Sequence, residues 1–210
     1  MSPQVKVRQY DASRRRRLAE QRRGAVLGAA QELFLTQGYA AATVTGIAEA
    51  AGVSPETVYK RFGGKPGLVR ELRTRALLGA GTIPAEDRSD HLRNMPDPRD
   101  VVRGWAELAG EVAPRVAPIL GLLRDAAVLD PTMRKLVDDL DADRLRRMRA
   151  NARFLADAGH LRPGVTRIEA TDVLFAVSSP EMYDLLAVRS GWSPRRYTRF
   201  VATTIENALL

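Results

Sequence analysis

The stretch that most constrains the fold is TVTGIAEAAGVSPETVYKRFGGK, from Thr43 to Lys65. Its pattern predicts two short helices joined by a tight turn. Thr43 and Ser54 suit the N-cap positions, and Pro55 follows Ser54 at the first helical position, where its missing N–H costs nothing. Gly52 lies between the two helices, where a positive φ commonly ends the first one. A small-residue first helix, a glycine turn and a short second helix with a polar face predict a helix-turn-helix.

Helices are also predicted on both sides of this stretch. Before it, from about Leu18 to Gln37, apolar residues recur with a period of 3.6 residues, and Gly38 ends the pattern. After it, Leu68 to about Leu78 continues as a helix. The expected core of this region is made by Val26, Leu27, Ala30, Leu33, Phe34, Ile47, Val53, Val58 and Phe62.

Three segments, LGAAQELFLTQGY, ATVTGIAEAAGVSPETVYKRF and GGKPGLV, resemble the N-terminal domain of the TetR family of transcriptional regulators. The resemblance covers about the first third of the chain. Two positions depart from the family pattern. Gly46 stands where an acidic or polar residue is common, and Pro66-Gly67 replaces the usual helix-forming pair after Lys65. The resemblance implies a DNA-binding head on a helical body that binds a ligand and dimerises.

The positive charge is concentrated in the N-terminal part of the chain. Residues 1–80 contain 14 Lys and Arg against 6 Asp and Glu, whereas residues 81–210 contain 19 of each. The whole net charge of +8 therefore accompanies the helix-turn-helix. A basic module joined to a neutral one is typical of a polyanion-binding head carried by a domain with another task.

Other classes of function have little support in the sequence. The chain has no cysteine, its two histidines are more than 60 residues apart, and neither a glycine-rich phosphate loop nor an HExxH motif is present. We therefore expect no enzyme activity, no cofactor and no metal site. The N-terminal residues lack the apolar region of a secretory signal, and no apolar run is long enough to span a membrane. Cytoplasmic localisation is the expectation.

The predicted organisation has three parts: a basic disordered arm over 1–17, a helix-turn-helix DNA-binding domain over 18–80, and a helical ligand-binding and dimerisation domain over 81–210. The run Arg14–Arg17 has two interpretations. It is either a solvated tail or an arm that follows the phosphates or enters a minor groove. The sequence does not decide between them.

The second helix of the helix-turn-helix is the expected DNA reader. Lys or Arg can donate to guanine, Glu can accept from cytosine, and Thr can contact a thymine methyl. Tyr59 has an alternative role, in which its ring packs against the preceding helix. The resemblance implies that Thr43, Tyr59 and Lys65 contact phosphates. The full set of candidate DNA-binding residues is Thr43, Thr45, Ser54, Glu56, Thr57, Tyr59, Lys60, Arg61 and Lys65.

The remainder of the chain predicts an all-α fold. Residues 82–99 contain three prolines and predict a surface loop. Apolar stripes after Asp100 predict one helix before Pro114 and another after it. A long helix follows from Asp130-Pro131 to Gly159. Its mixed arginine and aspartate face is either solvated or an anionic-ligand site. Two more helices are predicted, over Thr166–Arg189 with a bend at Pro180, and from Ser193 to the end of the chain.

The resemblance implies that the last two helices pair with those of a second subunit. The candidate interface residues are Leu174, Leu185, Tyr197, Phe200, Val201, Thr204 and Ile205. The candidate lining of a ligand pocket is Trp105, Leu108, Leu120, Leu123, Phe154, Phe175 and Met182. The resulting hypothesis is a repressor that binds a palindromic operator as a homodimer and is released by a small, largely apolar molecule. The alternative is an architectural basic protein that binds DNA with little sequence preference.

Overall fold

A computed structural model describes residues 4–79, 81–128 and 130–210, with side chains described from residue 12 onward. All secondary-structure elements in these ranges are helices, which confirms the predicted all-α fold. The chain divides into two compact units, Met1–Leu72 and Arg73–Leu210. The sequence placed this division after residue 80. The structure places it inside a helix instead, between Leu72 and Arg73.

The N-terminal unit contains helices α1 (Gln4–Ala41), α2 (Val44–Ala50) and α3 (Pro55–Phe62), and the first part of α4 (Lys65–Leu78). The backbone of α1 leaves helical geometry at Gly38, with φ 82° and ψ 158°. The predicted break at Gly38 is therefore confirmed, although a short helical segment continues beyond it.

The predicted disordered arm over residues 1–17 is wrong for the part that the structure describes. Residues 1–3 lie outside the described residues, but α1 begins at Gln4 and includes Arg14–Arg17, whose side chains are exposed. Arginine, alanine and glutamine favour helices without needing an apolar partner. A search for an apolar stripe therefore misses the start of this helix.

The helix-turn-helix has the predicted local chemistry. Thr43 Oγ1 accepts a hydrogen bond from the Gly46 amide at 3.0 Å, and Ser54 Oγ accepts one from the Thr57 amide at 3.4 Å. Gly52 takes φ 65° in the turn, a conformation that L-residues rarely adopt. Two N-caps and one glycine turn thus set the relative directions of α2 and α3.

The structure gives a physical reason for Gly67, which belongs to one of the two departures from the family pattern. A Cβ at this position would overlap the carbonyl oxygen of Phe62 and lie 2.7 Å from its carbonyl carbon. The first turn of α4 therefore packs directly on the last turn of α3, and only glycine permits that approach.

The core of the N-terminal unit is the predicted one, extended by α4. Most of the residues predicted for it are buried, whereas Leu33 and Val53 are half-buried. The buried apolar side chains include Val26, Leu27, Ala30, Phe34, Ile47, Ala48, Val58, Phe62, Leu68, Val69 and Leu72. This packing presents the opposite face of α3 to solvent.

Within the described residues, the C-terminal unit contains the second part of α4 and six further α-helices, and the fifth of these continues as a π-helix over Asp184–Arg189. The α-helices are α5 (Ala85–Leu92), α6 (Pro98–Ala127), α7 (Pro131–Asp157), α8 (Arg167–Val177), α9 (Pro180–Tyr183) and α10 (Pro194–Leu209). Asp130 and Ser193 cap α7 and α10 as predicted.

Two predictions for this unit are wrong. The expected loop over 82–99 contains α5, whose buried residues, Ala85 and Ser89, are too small to give an apolar stripe. The helices expected before and after Pro114 form one continuous helix, α6. Pro114 and Pro118 lie on its exposed face, where water can bond the carbonyls that proline leaves without a donor.

The helix predicted over Thr166–Arg189 is interrupted more strongly than a bend. Helix α8 ends at Val177, and Ser179 begins α9 by accepting a hydrogen bond from the Met182 amide at 3.1 Å. The wider turn of the π-helix then follows. Because Pro180 cannot donate to the preceding turn, the chain restarts a helix there.

The core of the C-terminal unit is built mainly from α6, α7, α8 and α10. Fully buried side chains join these helices, among them Val101, Leu155, Leu174, Tyr197 and Val201. The Trp105 indole N–H donates to the carbonyl of Ser89 at 3.1 Å and ties α5 to α6.

Candidate nucleic-acid interface and ligand cavity

Helix α3 has one buried and one exposed face. Val58 and Phe62 anchor it in the core of the N-terminal unit. The five candidate reading residues, Glu56, Thr57, Tyr59, Lys60 and Arg61, are all exposed. Eight residues at 1.5 Å each span about 12 Å, enough to address a few base pairs in a major groove.

Ser54 and Glu56 shape the start of α3. The Ser54 hydroxyl also lies 3.2 Å from the Thr57 hydroxyl. A hydrogen bond from Ser54, followed by one from its own backbone amide, lowers the pKa of Glu56. Glu56 is therefore a carboxylate at neutral pH. It can accept a hydrogen bond from a base edge, but it would repel a phosphate at this helix terminus.

Thr43 and Thr45 lie at the start of α2, and both are exposed. The first amides of a helix have no intrahelical acceptor, and a phosphate can take that place. Thr43 already accepts from Gly46, so its hydroxyl proton is what remains for an acceptor on DNA. Their role as phosphate contacts stays a prediction.

The ring of Tyr59 is 58% exposed. It lies beside the glycine pair that ends α3, where a Cβ on Gly64 would be 3.4 Å from Tyr59 Cε1. This exposure disagrees with the alternative role, in which the ring packs against the preceding helix. The phenol is free to meet a phosphate.

The ammonium of Lys65 is bonded within the protein, whereas a contact with a phosphate was expected. Its Nζ donates to three main-chain carbonyls, those of Tyr39 at 2.6 Å, Ala42 at 3.0 Å and Ala40 at 3.3 Å. It also lies 4.4 Å from the centre of the Tyr39 ring. An ammonium has three N–H groups, so in this conformation all are engaged at the end of α1. Only tertiary structure brings these carbonyls to Lys65.

A basic groove lies between α1 and the helix-turn-helix. Its volume is about 230 Å³, and Arg15, Arg22 and Arg61 line it with Thr57. Arg15 and Arg22 are absent from the candidate set, although their seven-residue spacing places them on one face of a helix. Helical continuation of α1 is the signal that would have identified them.

The C-terminal unit contains a mainly apolar cavity of about 170 Å³. Its apolar wall comes from α6, α8 and α10 and includes Trp105, Leu108, Val112, Val116, Leu120, Leu174, Val201 and Ile205. Three of the predicted lining residues, Trp105, Leu108 and Leu120, line this cavity.

The other four predicted lining residues do not face this cavity. Leu123 is fully buried in the core. Phe154 packs edge-on against Trp105, with ring centres 6.3 Å apart. The Phe175 ring lies under the guanidinium of Arg144, 3.6 Å away, and Met182 packs against the main core. Apolar periodicity marks burial, but it does not distinguish a filled core from a cavity wall.

Helix α7 contributes the polar wall of the cavity. Asp141, Asp143, Arg144, Arg147 and Asn151 belong to this wall. The mixed charge of α7 is therefore not only a solvated face, since part of it meets the cavity.

Four of the seven predicted interface residues are wrong, because they are buried within the unit itself. Leu174, Tyr197, Val201 and Ile205 have at most 2% of their surface exposed. Phe200 and Thr204 are half-buried, and Phe200 packs edge-on against Trp192, with ring centres 5.6 Å apart. Leu185 is 51% exposed. The apolar periodicity of α10 is therefore mainly that of an internal core.

The histidines have no metal-binding arrangement. His91 lies on α5, and its Nδ1 is 2.7 Å from the Asp87 carbonyl, while His160 packs beside Phe154. Among the described residues, no three His, Asp or Glu side chains gather as metal ligands. None of the described helices has both the length and the apolar character needed to cross a bilayer.

Comparison with known proteins agrees with this geometry. Residues 26–72 match the family model of bacterial regulatory proteins, tetR family. The uncharacterized HTH-type transcriptional regulator YvkB of Bacillus subtilis (strain 168) is 34% identical over 70 residues, which are 33% of this chain and 37% of that protein. The match thus spans little more than a third of this relative.

The likeness of fold extends over nearly the whole chain. NalD of Pseudomonas aeruginosa, described as the secondary repressor of the MexAB-OprM multidrug efflux pump, aligns with a TM-score of 0.70 at 22% identity. The alignment covers 91% of this chain and 98% of NalD. SmeT, solved in complex with triclosan, aligns with a TM-score of 0.71 at 19% identity over 90% of this chain and 91% of SmeT. The helix-turn-helix region of the chain, residues 26–72, is therefore similar to that of the tetR family of bacterial regulatory proteins, and nearly the whole chain has the same fold as NalD and SmeT.

Proposed function

We propose that the protein is a transcriptional regulator that reads duplex DNA with α3. The observation that carries this proposal is the exposed polar face of α3, held on a helix-turn-helix by its buried residues Val58 and Phe62. The basic groove beside it, with Arg15, Arg22 and Arg61, supplies cations for the phosphates.

Binding as a homodimer follows from the size of the reader. A helix of eight residues contacts too few base pairs for a specific site, whereas a twofold pair reads two half-sites about one turn of DNA apart. Leu185 and Val188, 51% and 61% exposed, are among the exposed apolar side chains of this unit, and we propose that a second copy covers them together with the half-buried Phe200 and Thr204.

Ligand response is supported by the cavity. SmeT was solved with triclosan, and NalD is described as a repressor. By analogy, we propose that a small molecule in this cavity releases the protein from a palindromic operator. Such a ligand must prefer one conformation, because equal affinity for both shifts no equilibrium.

Selection of bound DNA from a random pool, together with the mass of the protein in solution, tests this function. An enriched palindrome and a mass twice 23.1 kDa support the dimeric operator reader. Absence of an enriched motif, with equal salt dependence on all sequences, would support the architectural DNA-binding alternative. A monomer would contradict the proposed dimer.

A further inference from the structure

Two oppositely charged side chains in the wall of the cavity make no hydrogen bond in the part of the chain that the structure describes. Arg73, on α4, has the carboxylate of Asp143 at 4.0 Å, which is too long for a hydrogen bond. Glu86, on α5, has neither an ion pair nor a hydrogen bond among the described residues. The Arg73 side chain is 18% exposed and Glu86 is half-buried, so both charged groups are accessible to a ligand.

The other charged side chains of the cavity wall are already engaged within the protein. Their partners are Asp90 for Arg147, Arg124 for Asp141, Arg146 for Asp143, and the Phe175 carbonyl for Arg144. The guanidinium of Arg144 also lies over the Phe175 ring, 3.6 Å from its centre. Arg73 and Glu86 are therefore the wall charges that the described chain leaves without a hydrogen-bond partner.

Helix α7 places Arg73 and Glu86 on the same part of the wall. Arg73 is next to Asp143. Asp90, one turn after Glu86 on α5, pairs with Arg147, one turn after Asp143 on α7. Both side chains therefore lie where the wall meets residues 143–147 of α7. Because no ion pair joins the two side chains, a ligand group can stand between them.

The cavity limits the apolar part of such a ligand. Its volume of about 170 Å³ is close to the roughly 150 Å³ of an engineered apolar cavity that holds benzene. Trp105, Leu108 and Val112 are among the apolar side chains that line it. A benzyl group or a leucine-sized side chain therefore fits.

Both charged groups need a partner when a ligand displaces water from them. A buried charge that loses its water without gaining a partner is strongly disfavoured. A monocarboxylate would pair with Arg73 but leave Glu86 unpaired, and an amine would do the reverse. A ligand that carries both charges supplies a partner to each side chain.

We propose that the cavity binds a small zwitterion with an apolar body, of the kind found in α-amino acids with apolar side chains. Its carboxylate pairs with the Arg73 guanidinium, its ammonium pairs with the Glu86 carboxylate, and its apolar body packs against Trp105 and Leu108. This inference rests on the proposed function, because it names the chemical class of the effector. Binding can nevertheless be measured on the protein without DNA.

Calorimetric titration with L-phenylalanine, phenylpropionate and phenethylamine tests the proposal. The three probes share a phenylethyl skeleton. Phenylpropionate lacks the ammonium of L-phenylalanine, and phenethylamine lacks its carboxylate. L-phenylalanine is expected to bind at least about 10-fold more tightly than either of the singly charged probes.

Two substitutions separate the two contacts. Arg73→Gln should weaken L-phenylalanine binding by about 10- to 100-fold without weakening phenethylamine binding. Glu86→Gln should weaken L-phenylalanine binding to a similar extent without weakening phenylpropionate binding. Arg75→Gln on α4 and Asp87→Asn on α5 change exposed neighbours, so these matched controls should bind all three probes like the wild type.

Both variants are expected to fold, because neither substituted group makes a hydrogen bond in the described chain. If one variant fails to fold, the other still tests its own contact. Equal affinities of the wild type for L-phenylalanine and a singly charged probe would overturn the proposal, because one charge would then suffice. Wild-type selectivity in both variants would overturn it too, as would absence of binding by both L-phenylalanine and L-leucine.

A second readout separates this inference from the proposed function. The affinity for the selected operator is measured with and without L-phenylalanine. If L-phenylalanine binds through Arg73 and Glu86 but leaves operator affinity unchanged, the zwitterion site stands and the ligand-responsive function fails. If operator binding is specific but none of the probes binds, the zwitterion site fails and DNA recognition stands.

Discussion

Replacing Lys65 with Gln tests whether this residue holds the N-terminal unit together. The ammonium donates to three carbonyls at the end of α1, at 2.6, 3.0 and 3.3 Å. A hydrogen bond from a charged group contributes about 1.5–3 kcal/mol when buried. These bonds are only partly buried, and water can replace some of them. We therefore expect Lys65→Gln to lower the free energy of unfolding by about 2 kcal/mol in total.

The decrease in the free energy of unfolding is measured from the urea or thermal midpoint, with unfolding monitored by far-ultraviolet circular dichroism. The N-terminal unit has 72 residues, and for domains of about this size 1 kcal/mol corresponds to about 4–8 °C. A decrease of about 8–16 °C in the transition of this unit is therefore expected. Lys60→Gln is the control, because Lys60 is an exposed lysine on α3.

A phosphate contact would give the opposite pattern. Lys65→Gln would then unfold at the same midpoint as Lys60→Gln, while its DNA affinity and the salt slope of binding would both decrease, the slope by about 1. That result would refute the assignment of Lys65 as a link between α4 and the end of α1.

Three further predictions concern packing, pH and DNA. Gly67→Ala should destabilise the N-terminal unit by about 1–3 kcal/mol in urea denaturation, because its Cβ would overlap the Phe62 carbonyl. Glu111→Gln should lower stability at neutral pH by about 1 kcal/mol, because the carboxylate accepts from Arg88 at 2.7 and 3.1 Å. Arg22→Gln should lower the salt slope of DNA binding by about 1 and leave the selected motif unchanged.

The sign of the pH effect follows from the carboxylate. Hydrogen bonding by Arg88 lowers the pKa of folded Glu111 below its ordinary value of 4.5. The contribution of Glu111 to the free energy of unfolding is therefore complete above the pKa that its carboxyl has in the unfolded chain. This contribution is lost as pH falls through the lower pKa of the folded protein. Urea midpoints of wild type and Glu111→Gln should differ at pH 7 and converge in acid. A difference that is constant with pH would contradict this reasoning.

Matched variants control the other two predictions. Gly28→Ala places a Cβ where nothing lies within 4 Å, so it should be neutral or stabilising, and destabilisation equal to that of Gly67→Ala would contradict the overlap argument. Glu32→Gln, on an exposed part of α1, should leave the salt slope unchanged. A changed motif in Arg22→Gln would instead indicate a base contact.

Local chemistry was predictable from the sequence. The caps Thr43 and Ser54, the glycine turn at Gly52 and the exposed polar face of α3 depend on neighbouring residues, and the structure has all of them. The buried residues of the N-terminal unit follow from helical periodicity for the same reason.

Contacts between segments that are distant in sequence were decided by the tertiary structure. Periodicity shows that a side chain is buried, but not by what, so Tyr197 and Val201 were predicted at an interface and lie in the core of their own unit. The cavity, its cation Arg144 and the three carbonyls at Lys65 exist only where helices far apart in sequence meet. The sequence by itself thus determined the helix caps, the glycine turn and the exposed polar face of α3, because these depend on local interactions. Only the packing between helices decided which charged side chains have partners and where a cavity remains.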